Sequence, residues 1–415
     1  MSAHVDPANP APLDLSKWRK LPNWLMGVGG LGVLLGAAIP ALRQQFAFSW
    51  LLAFMLFLSL CLGGLFLVLM HHLFDAGWSV PIRRLCEHLA CLLPVMGILF
   101  LPIAVLAPKM YPWMKLALAG HPDHALRAKL PLFTLPMFYL VAAFCFGVWW
   151  LLSRGLRHWS LKQDETGSAE CSYKMRLYSY WGIFAFAITL SLAAIMWVKA
   201  LYHEWFSTMY GVYYFAGSVW MTLATVYLAT ALLKRQGPLR EVAQQVQFYF
   251  LGSLLLAFTV FYAYIHFAQY FIIWNANMPE ETFWYVIREK GSWWDIGMVI
   301  VFGHFALPFL ALLRIDVKLA LPVMVPLCVW AWLMHFCDLS FNIMPILHPD
   351  NFVLHWLDLA CVAFIGGVLS KVFLKALNGH PAYPQKDPRI AEALGVYVPP
   401  DQYVRPVARS SGGEP

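Results

Sequence analysis

The sequence predicts an all-α, polytopic integral membrane protein of about ten transmembrane helices. Three observations predict it. Of the 415 residues, 60% are hydrophobic and only 12% charged, where a soluble domain carries about 25% charged residues. Mean hydropathy is +0.62. Apolar residues gather into runs of about 20, the length that crosses a bilayer as a helix.

The runs cover residues 24–42, 48–70, 85–106, 130–152, 180–200, 209–232, 246–273, 295–313, 319–337 and 352–373. Ahead of the first, residues 1–20 (MSAHVDPANPAPLDLSKWRK) are polar, without the apolar centre of a signal peptide. The first run is therefore read as an uncleaved span. Its glycines (Gly27, Gly29, Gly30, Gly32, Gly36) include a GxxxG spacing that permits close helix packing. The third run is preceded by Ser79 as a helix cap and Pro81 in the first turn. In the eighth, Pro308 lies four residues after His304; it cannot donate to that carbonyl and is expected to kink the helix.

Helices 2–5 and 6–9 are expected to form two four-helix bundles flanked by helices 1 and 10. No strong sequence repeat relates them. The domain plan is an N-terminal segment (1–23), a ten-helix domain (24–374) and a tail (375–415). The tail is proline-rich and polar, and reads as extended and docked, or partly disordered. Lys and Arg set the orientation. With both termini cytoplasmic, 21 of the 29 fall in inside segments; segment 109–129 alone runs against this.

Ionisable residues in or beside apolar runs are costly in lipid, so they mark ion or substrate paths. Lys199, His203 and Glu204 close the fifth run. His266 stands in a polar stripe of the seventh with Thr259, Tyr262 and Gln269, and His304 lies deeper in the eighth. His335 and Asp338 end the ninth, followed by Asn342, and His355 and Asp358 begin the tenth. The i,i+3 and i,i+4 spacings put each pair on one helix face. A second cluster on the other side holds His71, His72, Asp75, Arg83, Arg84, Glu87 and His88. The proton-path candidates are Lys199, His203, Glu204, His266, His304, His335, Asp338, His355, Asp358, His71, His72, Asp75 and Glu87. No residue is assigned a catalytic or metal-binding role. For any single membrane-edge His or Asp, helix pairing or an interfacial position is the commoner reading; the set together points to a proton-conducting or substrate-lining role for some of them.

The eight cysteines form no CxxC or CxxCH, so attached c-type haem, iron–sulfur clusters and a disulfide framework are not expected. No two histidines stand out as a matched pair at equal depth, as b-type haem needs. The net charge of +7 reflects orientation in the membrane rather than affinity for nucleic acid. An aromatic-rich segment, YFIIWNANMPEETFWYVIREKGSWWDIG, places Trp274, Trp284, Tyr285, Trp293 and Trp294 around Asn275, Asn277, Glu280 and Glu281. It reads as an interfacial loop and a docking surface for an extrinsic partner.

Three separated stretches, HHLFDAGWSVPIRRLCEHLACLLPVMGILFLP, FAQYFIIWNANMPEETFWYVIREKGSWW and PQKDPRIAEALG, resemble the smaller of the two NrfD-like (polysulfide-reductase-like) membrane subunits of bacterial alternative complex III. The resemblance covers nearly the whole chain. It implies a ten-span subunit of the bacterial inner membrane with both termini cytoplasmic, in a complex that oxidises quinol. It implies no redox centre in this chain and a role as a proton path or as structural support, non-catalytic in itself. Quinol, iron–sulfur clusters and c-type haems are expected in partner subunits: a larger homologous NrfD-like subunit, iron–sulfur and cytochrome c subunits, and a terminal oxidase. Two alternatives stand beside it. One is an NrfD-like anchor that itself hosts quinol oxidation; the other is a secondary transporter, against which the lack of inverted repeats counts.

Overall fold

Residues 44–73 hold no Asp, Glu, Lys or Arg. A helix apolar all round has no face to give to water, so it belongs at the centre of a bundle. In the computed structural model, which describes residues 18, 20–120 and 123–396, this stretch is helix α2 (Arg43–Leu73), and it is buried almost throughout.

The other helices form around it. They are α1 (Leu21–Ala38), α4 (Leu135–Thr166), α5 (Ala169–Trp197), α6 (Tyr210–Gln236), α7 (Gln245–Ala276), α8 (Ser292–Leu312), α9 (Leu321–Ile343) and α10 (Trp356–Asn378). With α2 these make nine helices long and apolar enough to cross a membrane among the described residues. The tenth span, α3, is the pair Gly77–Leu99 and Leu101–Met110, bent by 53° at its break. Pro102 opens the second half and has no N–H to continue the ladder, which accounts for the bend. The described residues contain no strand. The protein is an all-α, multi-pass membrane protein.

Contacts close two rings, α2–α3–α4–α5 and α6–α7–α8–α9. The rings meet along α2 and α6. Each of those also touches the last helix of the opposite ring, α2 on α9 and α6 on α5. Exchanging the rings leaves this contact set unchanged. Helices α1 and α10 pair outside, against α2. A Cβ on Gly32 would lie 2.6 Å from that of Ala360 in α10, and one on Gly29 2.5 Å from the backbone of Phe364. The glycine stripe is therefore a packing surface.

Several boundaries differ from expectation. Helix α5 ends at Trp197, so Lys199 and His203 leave the helix; Lys199 opens a 3₁₀ turn (Lys199–Tyr202) and does not share a helical face with His203. Helix α10 begins at Trp356 because His355 is its cap: Nδ1 accepts from the Leu357 N–H at 3.2 Å, and Asp358 reaches back to the His355 N–H at 2.9 Å. Pro308 does not kink α8 sharply. The preceding turn, Ile300–Ala306, widens into a π-helix that absorbs the missing donor.

The tail docks on its own chain. Asp387 and Arg389 are buried; Asp387 pairs with Arg83, and Arg389 with Asp75 at 3.1 Å. Gln247 of α7 donates to Ala393 O at 3.3 Å. The side of the molecule carrying these residues is called the tail face below, and its opposite the far face. Residues 397–415 of the tail, and 1–17 and 19 of the N-terminal segment, lie outside the described residues.

Candidate functional site

Spacing brings the second ring's polar groups inward. Tyr210 and Tyr213 stand i,i+3 on α6; Tyr262 and His266 stand i,i+4 on α7; His335, Asp338 and Asn342 share one face of α9. They converge on Asp338, which is 2% exposed. Its Oδ1 accepts from the Tyr213 hydroxyl, from the Tyr262 hydroxyl at 2.7 Å and from the Asn342 amide at 3.4 Å. Tyr210 in turn donates to Asn342 at 3.0 Å. Among the described residues no Lys or Arg pairs with Asp338. Neutral donors alone solvate its carboxylate, an arrangement typical of a group that takes and gives a proton.

His304 lies against this network. Its ring is stacked between Trp220, centroid 3.8 Å away, and Tyr262, 3.7 Å away. Both ring nitrogens are buried without a protein partner, as is Nδ1 of His335. Buried imidazoles in that state call for water. His335 Nε2 lies 2.9 Å from the Ser59 hydroxyl, which carries the polar contact from α9 across to α2 in the first ring. Gly217 makes room: a Cβ there would sit 2.9 Å from the His335 ring.

A cleft of about 630 Å³ opens beside the network between α7 and α8. Its wall is mostly apolar, with four tyrosines (Tyr262, Tyr264, Tyr270, Tyr285), His266, Arg288 and Glu289 set into it. Arg288, from the short helix Pro279–Arg288, is buried and donates to the carbonyls of Phe341, Trp284 and Asn342. Its guanidinium lies 3.4 Å over the Trp284 ring. Trp284 and Trp293 are themselves buried, Trp284 stacked on Trp205 at 4.6 Å, while Trp274 and Trp294 are exposed.

The far-face candidates form a separate cluster. His203 Nε2 lies 2.7 Å from Asp123, and Lys129 donates to the carbonyl of His203. Lys199 is buried beside Lys129, and burial together with that neighbour pushes its ammonium down to about 7. Burial also lowers Lys129. For Asp123, burial is the largest single influence and opposes ionisation, but hydrogen bonds from His203 and the Leu126 N–H and the nearby positive charge together outweigh it and lower the carboxyl. Ligand atoms of Asp123, His203 and Glu204 lie within 4.8 Å of one another. The charge of Lys129 already answers these acids, so the trio makes a poor cation site.

On the tail face Glu87 is held by Arg83 at 3.1 Å, Arg84 at 3.4 Å, Arg157 at 2.9 Å and Ser160 at 2.6 Å. Asp75 pairs with Arg176 and Arg389. His71 bridges Ser79, Arg83 and Arg389, and His72 packs against it with Nε2 unpartnered. Asp358 is set apart, bonded to Ser49 and Gln45 of α2, with His348 beyond at 2.8 Å from Gln45. The structure thus brings together His266, His304, His335 and Asp338, and leaves the remaining candidates in three other places.

Sequence reading missed Tyr213, Tyr210, Ser59 and Arg288. The tyrosine pair carried a signal in its i,i+3 spacing, but one shared with every aromatic belt. Compared with protein-family models and with curated proteins, the chain matches none.

Proposed function

We propose that this chain is a cofactor-free integral membrane subunit of a quinol-oxidising respiratory complex, of the NrfD-like kind that serves as the smaller membrane subunit of bacterial alternative complex III. In this reading the second ring provides a proton path, and the first ring and the α1–α10 pair provide structure. The chain lies in a bacterial inner membrane with the tail face cytoplasmic, as the distribution of Lys and Arg favours. Its partners are the larger homologous membrane subunit, iron–sulfur and cytochrome c subunits that hold the redox centres, and a terminal oxidase.

One observation carries the reading: Asp338 is buried among tyrosines and an asparagine, and among the described residues no cation is paired to it. A carboxylate kept only for stability would be paired, or replaced by an apolar residue. The imidazoles of His304 and His335 extend the polar chain toward α2.

The test has two parts. Purification in mild detergent should bring down iron–sulfur and haem-bearing subunits with this chain. Asp338→Asn in the assembled complex should lower the protons moved per electron while assembly persists. A chain that purifies alone, or an unchanged proton-to-electron ratio, refutes the reading.

A further inference from the structure

The α1–α10 pair packs against α2 and leaves a groove between itself and the second ring. Leu25 of α1, Leu369 and Phe373 of α10, and Ala229 and Leu233 of α6 line it. Phe57 and Trp332, near the middles of α2 and α9, mark its deep end.

The groove has the length of one leaflet. On α10 its lining runs from Leu377 at the tail face to Gly366, about 16 Å at 1.5 Å per residue. Half of a bilayer's hydrocarbon core is about 15 Å. A volume of about 290 Å³ over that length gives an average section of about 18 Å². That admits one extended hydrocarbon chain. A helix, about 10 Å across with its side chains, needs about 80 Å².

The wall is apolar save for Thr225, Ser370 and the indoles of Trp18 and Trp332. Thr225 donates to Met221 O at 2.9 Å and accepts from Trp332 Nε1 at 3.0 Å, so that pair asks nothing of an occupant. Such a space favours hydrocarbon over water. The mouth is basic. In sequence Lys20 adjoins Leu21, Lys234 adjoins Leu233 and Lys375 adjoins Leu374, each a lining residue. Residues 20–25, 225–236 and 366–380 contain no Asp or Glu. Trp18 is exposed at the same end, where an indole suits the membrane interface. A basic rim between helices at the membrane surface attracts an anionic headgroup.

We propose that this groove holds one acyl chain of an anionic phospholipid from the tail-face leaflet, its phosphate met by Lys20, Lys234 and Lys375. The bound chain completes the packing of the α1–α10 pair on the second ring. The inference needs only a chain that crosses a membrane, so it stands or falls apart from the respiratory reading.

The experiment takes the full-length chain in mild detergent and adds phosphatidylglycerol carrying a diazirine at the end of one acyl chain. Irradiation should label Phe57, Leu60 or Trp332. Unlabelled phosphatidylglycerol should suppress that label at about one tenth the concentration of phosphatidylcholine, the effect of one to two basic residues near a membrane surface. Ala229→Phe fills the groove and should remove the label. Lys20→Gln, Lys234→Gln and Lys375→Gln combined leave the groove open; the label should remain while the two competitors become equal. Four results overturn the proposal. They are no label at those three residues in the parent, as when a helix of another protein fills the groove; equal competition in the parent; undiminished label in Ala229→Phe; and a preference for phosphatidylglycerol that survives the triple variant.

Discussion

Glu87 is the carboxylate most heavily committed on the tail face, and Glu87→Gln gives the sharpest test of what holds that face together. Five arginines (Arg83, Arg84, Arg157, Arg176, Arg389) meet four carboxylates (Asp75, Glu87, Asp164, Asp387) there. The substitution keeps the shape and a hydrogen bond for Ser160, but leaves five positive charges against three negative ones. Arg83, Arg84 and Arg157 would each lose a partner now 2.9–3.4 Å away. Breaking a buried pair by removing one member costs about 3–5 kcal/mol, because the remaining charge stays buried uncompensated. Arg83 keeps Asp387 and Arg84 keeps Asp164, so the lower half of that range applies, about 3 kcal/mol. Unfolding in mild detergent, followed by denaturant titration with tryptophan fluorescence, measures it. Glu87→Gln with Arg157→Leu restores the charge balance and should recover at least half the loss. A single variant within about 0.5 kcal/mol of the parent, the range of neutral surface changes, would refute the reasoning.

Four further outcomes follow from the same structure. Lys199 has an ordinary value of 10.5 and a folded value of about 7. Between those pH values the unfolded chain binds the extra proton, so stability should rise with pH across that window. Lys199→Met should flatten the rise in a thermal melt; an unaltered slope speaks against a buried, proton-poor lysine. Gly32→Val should separate α1 from α10, read as lost crosslinking between cysteines placed at Val33 and Ala360; retained crosslinking would mean the helices are not in close contact. Asp387→Ala should free the tail, seen as faster proteolysis after Lys386 with the helical core intact. Gly217→Ala should press on the His335 ring and reduce proton movement about as much as His335→Phe, while Gly27→Ala, which meets open space, should do nothing.

How much of this could be read from the residues depends on sequence distance. His335, Asp338 and Asn342 lie on one helix, and their spacing alone predicted a shared face. Tyr213 could not be nominated, because an aromatic at a helical interval in a membrane helix looks like packing until its partner is known, and Asp338 lies 125 positions away. The tail read as extended and docked, or partly disordered, and its described part docks. Where it docks was not legible, because Asp387 and Arg389 find their partners Arg83 and Asp75 at 304 and 314 positions' distance. The ring arrangement was legible because short loops force antiparallel neighbours. The π-turn at His304 was not: Pro308 announced a missing hydrogen bond, while the way the helix absorbed it was set by packing against Trp220 and Tyr262.

Charge bookkeeping separates the two polar regions by role. A proton placed on Glu87 would strip three guanidinium groups of their common partner, so each titration would cost the whole lattice. A proton placed on Asp338 breaks no ion pair among the described residues and leaves tyrosines and an asparagine that rotate to suit either state. The first arrangement resists changes in protonation and fixes helices; the second accepts them at small cost. Clefts adjoin both, the second lined by His266 and the first by His71 and Arg83, so the difference between them lies in charge pairing. That asymmetry between rings of like topology is the physical ground for placing proton handling in the second ring and anchoring in the first.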